Sequence, residues 1–197
     1  MNQITEIRLP TAWGEFRMVA YANEPVEMPH LALIGGTPDM TQPVLVRIHS
    51  ECMTGDVFGS ARCDCGEQLH EAMRKAGTEG GIVLYLRQEG RGIGLINKMK
   101  AYNLQDQGFD TAEANTHLGF EMDARKFDIA IRMLEGLGIK QIRLMTNNPE
   151  KVAAFEGSSV EVVERVPVII PPHKENFSYL ETKQKVMGHF LNLNGHG

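Results

Sequence analysis

The chain has 197 residues, 42% hydrophobic and 23% charged, with a formal net charge of −5. That length buries a core without disulfide staples, and the acidic balance argues against general nucleic-acid binding, which relies on basic surface. No apolar run is long enough to span a bilayer, and MNQITEIRLP lacks the basic end and apolar centre of a secretory signal, so a cytoplasmic setting is expected.

In chain order, residues 4–22 read as a strand pair, ITEIRL and EFRMVAY, broken at Pro10 and Gly14. LALIGG (31–36) and VLVRIHS (44–50) are further strands, the latter with Val44, Val46 and Ile48 on one face and Arg47 and His49 on the other. Leu69, Ala72, Met73 and Ala76 predict a helix over 66–76, closed by Gly80-Gly81. IVLYLRQ (82–88) predicts a buried strand, and the glycine-rich EGRGIGL leads into a helix, INKMKAYNLQDQ. Residues 108–122 show no period and read as a loop. A helix is predicted over 124–137, then a strand IRLMT (142–146) and a short helix opened by Asn148-Pro149. VEVVERVPVII reads as a strand, and SYLETKQKVMGHFL as a closing amphipathic helix. Strands first, then strand–helix alternation, predict an α/β (mixed α+β) fold: a mixed sheet flanked by helices with a β-rich N-terminal part, in one domain over 1–197.

All three cysteines, Cys52, Cys63 and Cys65, fall in HSECMTGDVFGSARCDCGEQL. An odd thiol count in a reducing compartment fits metal binding or catalysis better than a disulfide framework. Thiolates suit zinc, and three protein ligands leave a fourth position for a water whose pKa falls to about 7. Three readings stay open: a catalytic zinc, a structural zinc completed by His49 or His70, or three unmetallated thiols.

RQEGRGIGL (87–95) joins a predicted strand to a predicted helix, with Arg87 and Arg91 suited to phosphate oxygens. It matches neither a Walker loop nor a complete GxGxxG. In TNNPEK (146–151), Thr146 and Lys151 offer a second anion site, or Asn148 simply caps the helix. Asp123 reads as the cap of the next predicted helix and Arg125 falls in its first turn. There a cation opposes the dipole by typically about 0.3–1 kcal/mol, which hints at an anionic partner. Glu51 or Glu89 could accept the two N–H donors of guanine's pairing edge.

Together these segments resemble GTP cyclohydrolase II. The match rests on RIHSECMTGDVFGSARCDCGEQL, LYLRQEGRGIGLINKMKAYNLQDQGFDTAEANTHLGF, DARKF, RLMTNNPEKV, VVERVP and YLETKQKVMGH, in order, over most of the chain from Val44. The resemblance implies a reaction that opens the imidazole ring of GTP and releases formate and pyrophosphate. The product is 2,5-diamino-6-ribosylamino-4(3H)-pyrimidinone 5′-phosphate, at the entry to riboflavin biosynthesis.

It also implies one zinc per subunit on Cys52, Cys63 and Cys65, and magnesium with the triphosphate. Nucleotide contacts fall on Arg47, Ile48, His49, Ser50 and Glu51, on Gln68, on Glu89, Gly90 and Arg91, and on Thr111, Thr146 and Lys151. Asp123 matches a proton acceptor, Tyr102 a residue of ring opening, and Arg125 a proposed nucleophile at the α-phosphorus. A guanidinium with pKa above 12 is better suited to stabilising charge than to attack.

Ser159 and Val186 depart from the pattern at peripheral positions. A homodimer is expected, with neither nucleic acid nor membrane as partner. The sequence shows no dihydroxybutanone phosphate synthase segment, so a monofunctional form is expected. The competing classes are a nucleotide pyrophosphohydrolase that leaves the ring intact, and a non-catalytic guanine-nucleotide-binding protein with structural zinc.

Overall fold

The computed structural model describes residues 1–24, 26–121, 123–191 and 193; the side chains of Thr111 and Ala112 also lie outside the description. In chain order the elements are β1 (Asn2–Thr11), β2 (Gly14–Ala22), β3 (His30–Gly35), β4 (Val44–Ser50), α1 (Met53–Asp56), α2 (Cys65–Glu79), β5 (Gly81–Leu86), a 3-10 turn (Glu89–Gly92), α3 (Leu95–Gln105), α4 (Thr111–His117), α5 (Asp128–Gly136), β6 (Gln141–Met145), α6 (Pro149–Ala153), β7 (Glu161–Val166) and α7 (Phe177–Lys185).

The chain divides into two compact units. The first holds Met1–His49, Gln68–Arg87 and Phe127–Val168; the second holds Ser50–Glu67, Gln88–Lys126 and Ile169–Gly197.

The first unit is the mixed α/β sheet that the sequence predicts. Its strands run β1-β2-β3-β5-β4-β6-β7. The N-terminal strands pair antiparallel (β1 with β2, β2 with β3, β3 with β5), whereas β4 with β6 and β6 with β7 are parallel. Side chains alternate across a strand, so β4 serves two cores. Val44, Val46 and Ile48 join Ile82, Leu84, Ala130, Met133 and Leu134 on the α5 face. Leu45 joins Val83, Met145, Ala72, Met73 and Ala76 on the α2 face. Each fully buried Leu or Ile contributes roughly 1.5–3 kcal/mol, so the central strands anchor this unit. The same alternation turns Arg47 and His49 toward the α2 face, where both are buried.

Both apolar clusters consist wholly of first-unit residues. The second unit has a different interior. Its buried apolar side chains are Cys52, Cys63, Ala101, Ala114 and Leu180, and they share that interior with Asp64, Gln88, Lys98, Asn115, Asn176 and Lys183.

Five expectations change. Pro10 does not break the first strand: it stays in register opposite Glu15 on the sheet's edge strand, where no outer ladder bond is missed. Residues 108–122 are not all loop, because α4 forms there behind a reciprocal cap, Glu113 N donating to Asp110 Oδ1 at 2.8 Å and Asp110 N to Glu113 Oε2 at 2.9 Å. The helix expected from 124 starts only at Asp128. The last strand ends at Val166, before Pro167, and the closing helix ends at Lys185.

Candidate active site and metal centre

The second unit gathers the three thiols. Their sulfurs lie within 4.8 Å of one another, and among the described residues no histidine belongs to the group. His70 instead stacks on Trp13 (5.0 Å between centroids) and His49 on Tyr85 (5.5 Å). The sulfurs converge because nothing fills the space between their backbones. A Cβ on Gly55 would stand 2.9 Å from Cys63 Sγ, 3.1 Å from Cys65 Cβ and 3.3 Å from Cys52 Sγ. Cys52 and Asp56 fix each other, Cys52 N donating to Asp56 Oδ2 at 2.9 Å and Asp56 N to Cys52 O at 2.7 Å.

A tetrahedral ion with zinc–sulfur bonds of about 2.3 Å separates its sulfurs by about 3.8 Å. Cys52 Sγ and Cys63 Sγ are 3.7 Å apart, so the donor set suits zinc in spacing and in softness. Proton affinities within the cluster are uneven. Hydrogen bonds from Cys63 and Cys65, and then the Lys98 ammonium, hold the Cys52 thiol far below its ordinary pKa. The same contact with Cys52 pushes Cys63 up to about 11, and contacts with Cys52 and Cys63 push Cys65 well up.

Lys98 and Glu89 are buttresses of this centre. Lys98 Nζ donates to Cys52 Sγ and Glu89 Oε1, both at 3.0 Å, and to Thr54 Oγ1 at 2.8 Å. Glu89 Oε2 accepts from Met53 N at 2.6 Å, satisfying an N–H at the start of α1, and its Oε1 accepts from Gly90 N at 2.7 Å. Burial alone would lower the pKa of Lys98, but the Cys52 thiolate raises it well above the ordinary lysine value.

Gly90, Arg91, Ile93, Lys98, Tyr102 and Tyr179 line one pocket of this unit. Arg91 is the only described non-glycine residue with positive φ, at 60°. That conformation costs an L-residue about 1–2 kcal/mol. Arg91 Nη1 is also buried without a hydrogen-bond partner among the described residues, as is Ser50 Oγ. Such groups cost free energy until a ligand satisfies them. Tyr102 has its pKa raised, first by burial, with Lys98 and a Thr54 hydrogen bond pulling the other way. Its phenol therefore keeps its proton at neutral pH.

Asp123 and Arg125 stand outside any helix, so neither the cap nor the dipole argument applies to them. The Arg91 carbonyl accepts from Ala124 N at 3.1 Å and ties the segment to the turn before α3. Arg125 grips Asp123 through Nε, 2.8 Å and 3.0 Å from the two carboxylate oxygens, and through Nη2. Burial pushes the Asp123 carboxyl up, but Arg125 outweighs it and holds the pKa below the ordinary range. Asp123 is thus ionised and Arg125 remains a cation. Glu51 begins the loop before Cys52 and is half-buried; Thr111 opens α4, and its side chain is outside the described residues.

The remaining expected residues belong to the first unit. Arg47 Nη2 donates to Gln68 Oε1 at 2.5 Å and Nη1 to Met145 O at 3.1 Å. Lys151 Nζ donates to the Ile48 carbonyl at 2.8 Å from inside α6. Asn148 caps that helix, accepting from Glu150 N at 2.8 Å, and Thr146 Oγ1 accepts from Asn148 N at 3.0 Å. Arg47, Ile48, His49, Thr146 and Lys151 are all buried.

Sequence reasoning missed Lys98 as a neighbour of the thiols. The available signal was a lysine in the same stripe of α3 as Ala101, the helix's other buried residue. It missed Asp64 and Lys183 as well, whose partnership joins distant parts of the sequence.

The family model described as GTP cyclohydrolase II matches residues 2–167. A "Riboflavin biosynthesis protein RibBA" of Bacillus cereus (strain G9842) is 54% identical over 189 residues, covering 95% of this chain and 48% of that protein. A protein of the same name from Chlorobium phaeovibrioides (strain DSM 265 / 1930) is 53% identical over 192 residues, covering 97% and 47%. The chain therefore spans about half the length of the curated relatives it matches. A crystal structure of RibBX, a two-domain 3,4-dihydroxy-2-butanone 4-phosphate synthase from A. baumannii, overlaps 86% of this chain and 40% of its own, with TM-score 0.49 and 17% identity.

Proposed function

The chain belongs to the GTP cyclohydrolase II family, and from that premise we propose that it hydrolyses GTP at the entry to riboflavin biosynthesis. The reaction opens the imidazole ring and releases formate and pyrophosphate, leaving 2,5-diamino-6-ribosylamino-4(3H)-pyrimidinone 5′-phosphate. Residues 1–197 act as one catalytic domain. The observation that carries the reading is the three-sulfur group at zinc spacing, in the same unit as a pocket lined by Arg91 and Tyr102.

Cys52, Cys63 and Cys65 would hold one zinc per subunit, which supplies a Lewis acid and an activated water for attack at carbon 8 of the base. Tyr102, protonated at neutral pH, gives or orients a proton as the ring opens. Arg91, with a buried Nη1 awaiting an acceptor, binds an anionic group of the nucleotide, aided by Gly90. Glu51 or Glu89 reads the guanine edge, and both carboxylate oxygens of Glu89 already serve Met53, Gly90 and Lys98. Arg125, clamped by an ionised Asp123, stabilises charge at the α-phosphorus, and Asp123 takes up the proton of that step. Arg47, Ile48, His49, Ser50, Gln68, Thr111, Thr146 and Lys151 complete the nucleotide contacts. Magnesium accompanies the triphosphate as a hard cation on oxygen ligands.

No described helix is long and apolar enough to cross a membrane. The reading includes a homodimer in the cytoplasm, with neither nucleic acid nor membrane as partner.

The test incubates zinc-loaded protein with GTP and magnesium. Equal release of formate and pyrophosphate, with the absorbance of the diaminopyrimidinone, is expected, and Cys63→Ser should abolish formate. Pyrophosphate without formate would indicate a pyrophosphohydrolase. GTP binding with neither product would indicate a non-catalytic guanine-nucleotide-binding protein with structural zinc.

A further inference from the structure

Lys98 and Ala101 are the two buried residues of α3. A buried lysine needs a reason, and this one has three acceptors: Cys52 Sγ, Thr54 Oγ1 and Glu89 Oε1 at 3.0, 2.8 and 3.0 Å. An ammonium carries three N–H donors and no acceptor, so its capacity is fully committed. It has no lone pair for a base or a nucleophile. Among the groups given a part in the chemistry, the nearest to it is the Cys52 sulfur, at 3.0 Å, with the Tyr102 ring 5.6 Å away.

We propose that Lys98 is a positioning residue that sets the donor strength of Cys52 toward the metal. The inference rests on the reading of the three cysteines as a zinc site. Three thiolates and one dication leave a centre with a net charge of about −1, in which the sulfurs give the metal so much density that it is a weak Lewis acid. A hydrogen bond from a cation withdraws density from the sulfur it meets.

The surroundings hold the ammonium to that task. Glu89 is itself pinned by the backbone N–H groups of Met53 and Gly90, so it cannot swing away. Met53 and Thr54 directly follow Cys52, so Cys52, Met53, Glu89, Lys98 and Thr54 close a ring of contacts around the one ligand sulfur. Outer partners of metal ligands, when removed, typically cost 10–100-fold in affinity or activity.

Cobalt substitution gives the readout, because sulfur-to-cobalt charge-transfer bands report how strongly each sulfur donates. Wild-type protein should bind one equivalent of Co(II) with such bands; their absence would defeat the zinc reading itself. With the bands present, Lys98→Met should move them to lower energy, as Cys52 becomes a stronger donor. Formate release in the zinc form should fall roughly 10–100-fold in kcat, with KM for GTP within about twofold. Lys98→Arg, which keeps donor and charge, should restore the band energy. If Lys98→Met does not fold, Lys98→Gln, which removes the positive charge, carries the same comparison. A folded Met or Gln variant with wild-type band energies overturns the inference and leaves the zinc site standing.

Discussion

Lys183 Nζ donates to Asp64 Oδ1 at 2.8 Å, with the two side chains 10% and 2% exposed, so α7 is tied to the residue between the two closest cysteines by a buried ion pair. Removing one partner strands the other charge away from water, at about 3–5 kcal/mol. Asp64→Asn should therefore lower stability by about that amount and weaken metal retention. The double variant Asp64→Asn/Lys183→Met should be less destabilised than Asp64→Asn alone. Denaturant unfolding of the three proteins checks this, and equal loss in the single and double variants would refute it.

Gly55→Ala inserts a methyl between three ligand residues whose atoms stand 2.9–3.3 Å from it. Overpacking of this kind costs about 1–3 kcal/mol, and here it is spent spreading the sulfurs. Zinc affinity in chelator competition should fall at least about tenfold. Wild-type affinity in the Ala variant would show that the cluster is looser than its geometry.

Removal of the metal should act unevenly. Both apolar clusters lie in the first unit, while the second buries few apolar side chains around its thiols. Ligation free energy is folding free energy where the rest of the core is thin. Chelation should raise hydrogen exchange across 50–67 and 88–121 and leave the strands β3, β4 and β5 protected. Uniform loss of protection would count against this division.

Asp123 gives a pH dependence of known sign. Its pKa in the folded protein is lowered by Arg125 against the opposing effect of burial. Its contribution is complete above the unfolded value of about 3.9 and is lost as pH falls through the lower folded value. Asp123→Asn should flatten that acid limb of the stability curve and reduce pyrophosphate release at least about tenfold at neutral pH. An unchanged acid limb would mean that Arg125 does not hold the carboxylate in solution.

The thiol group was legible in the sequence because its members are close in the chain, and the strands because alternation and apolar runs are local signals. The start of α4 was missed: Asp110-Thr-Ala-Glu113 is a capping pair, but the aperiodic stretch around it reads as loop. Other features depend on partners the sequence does not place side by side. The helix expected from Ala124 starts only at Asp128, and the Ala124 N–H meets the carbonyl of Arg91, more than thirty positions earlier. Lys98 reads as an ordinary helix lysine until the sulfur 3.0 Å away is known. The left-handed backbone of Arg91 has no signature in its own identity, though the glycines on both sides of it mark a turn of unusual shape.

The approach of Cys52 and Cys63 would also make a bound metal a chemical guard. A sulfur gap of 3.7 Å needs only a small movement to reach the bond length of a disulfide, about 2.05 Å. In the stripped protein, peroxide would oxidise the Cys52 thiolate to a sulfenic acid, and the Cys63 thiol would then attack it, expelling water and closing the bridge. Two of three ligands vanish in that event, and the remaining thiol cannot retain an ion alone. A bound ion occupies the sulfur lone pairs and keeps the same atoms apart. Exposure to peroxide during purification would thus convert metal-poor molecules into an empty population, recoverable by reductant followed by zinc and not by zinc alone.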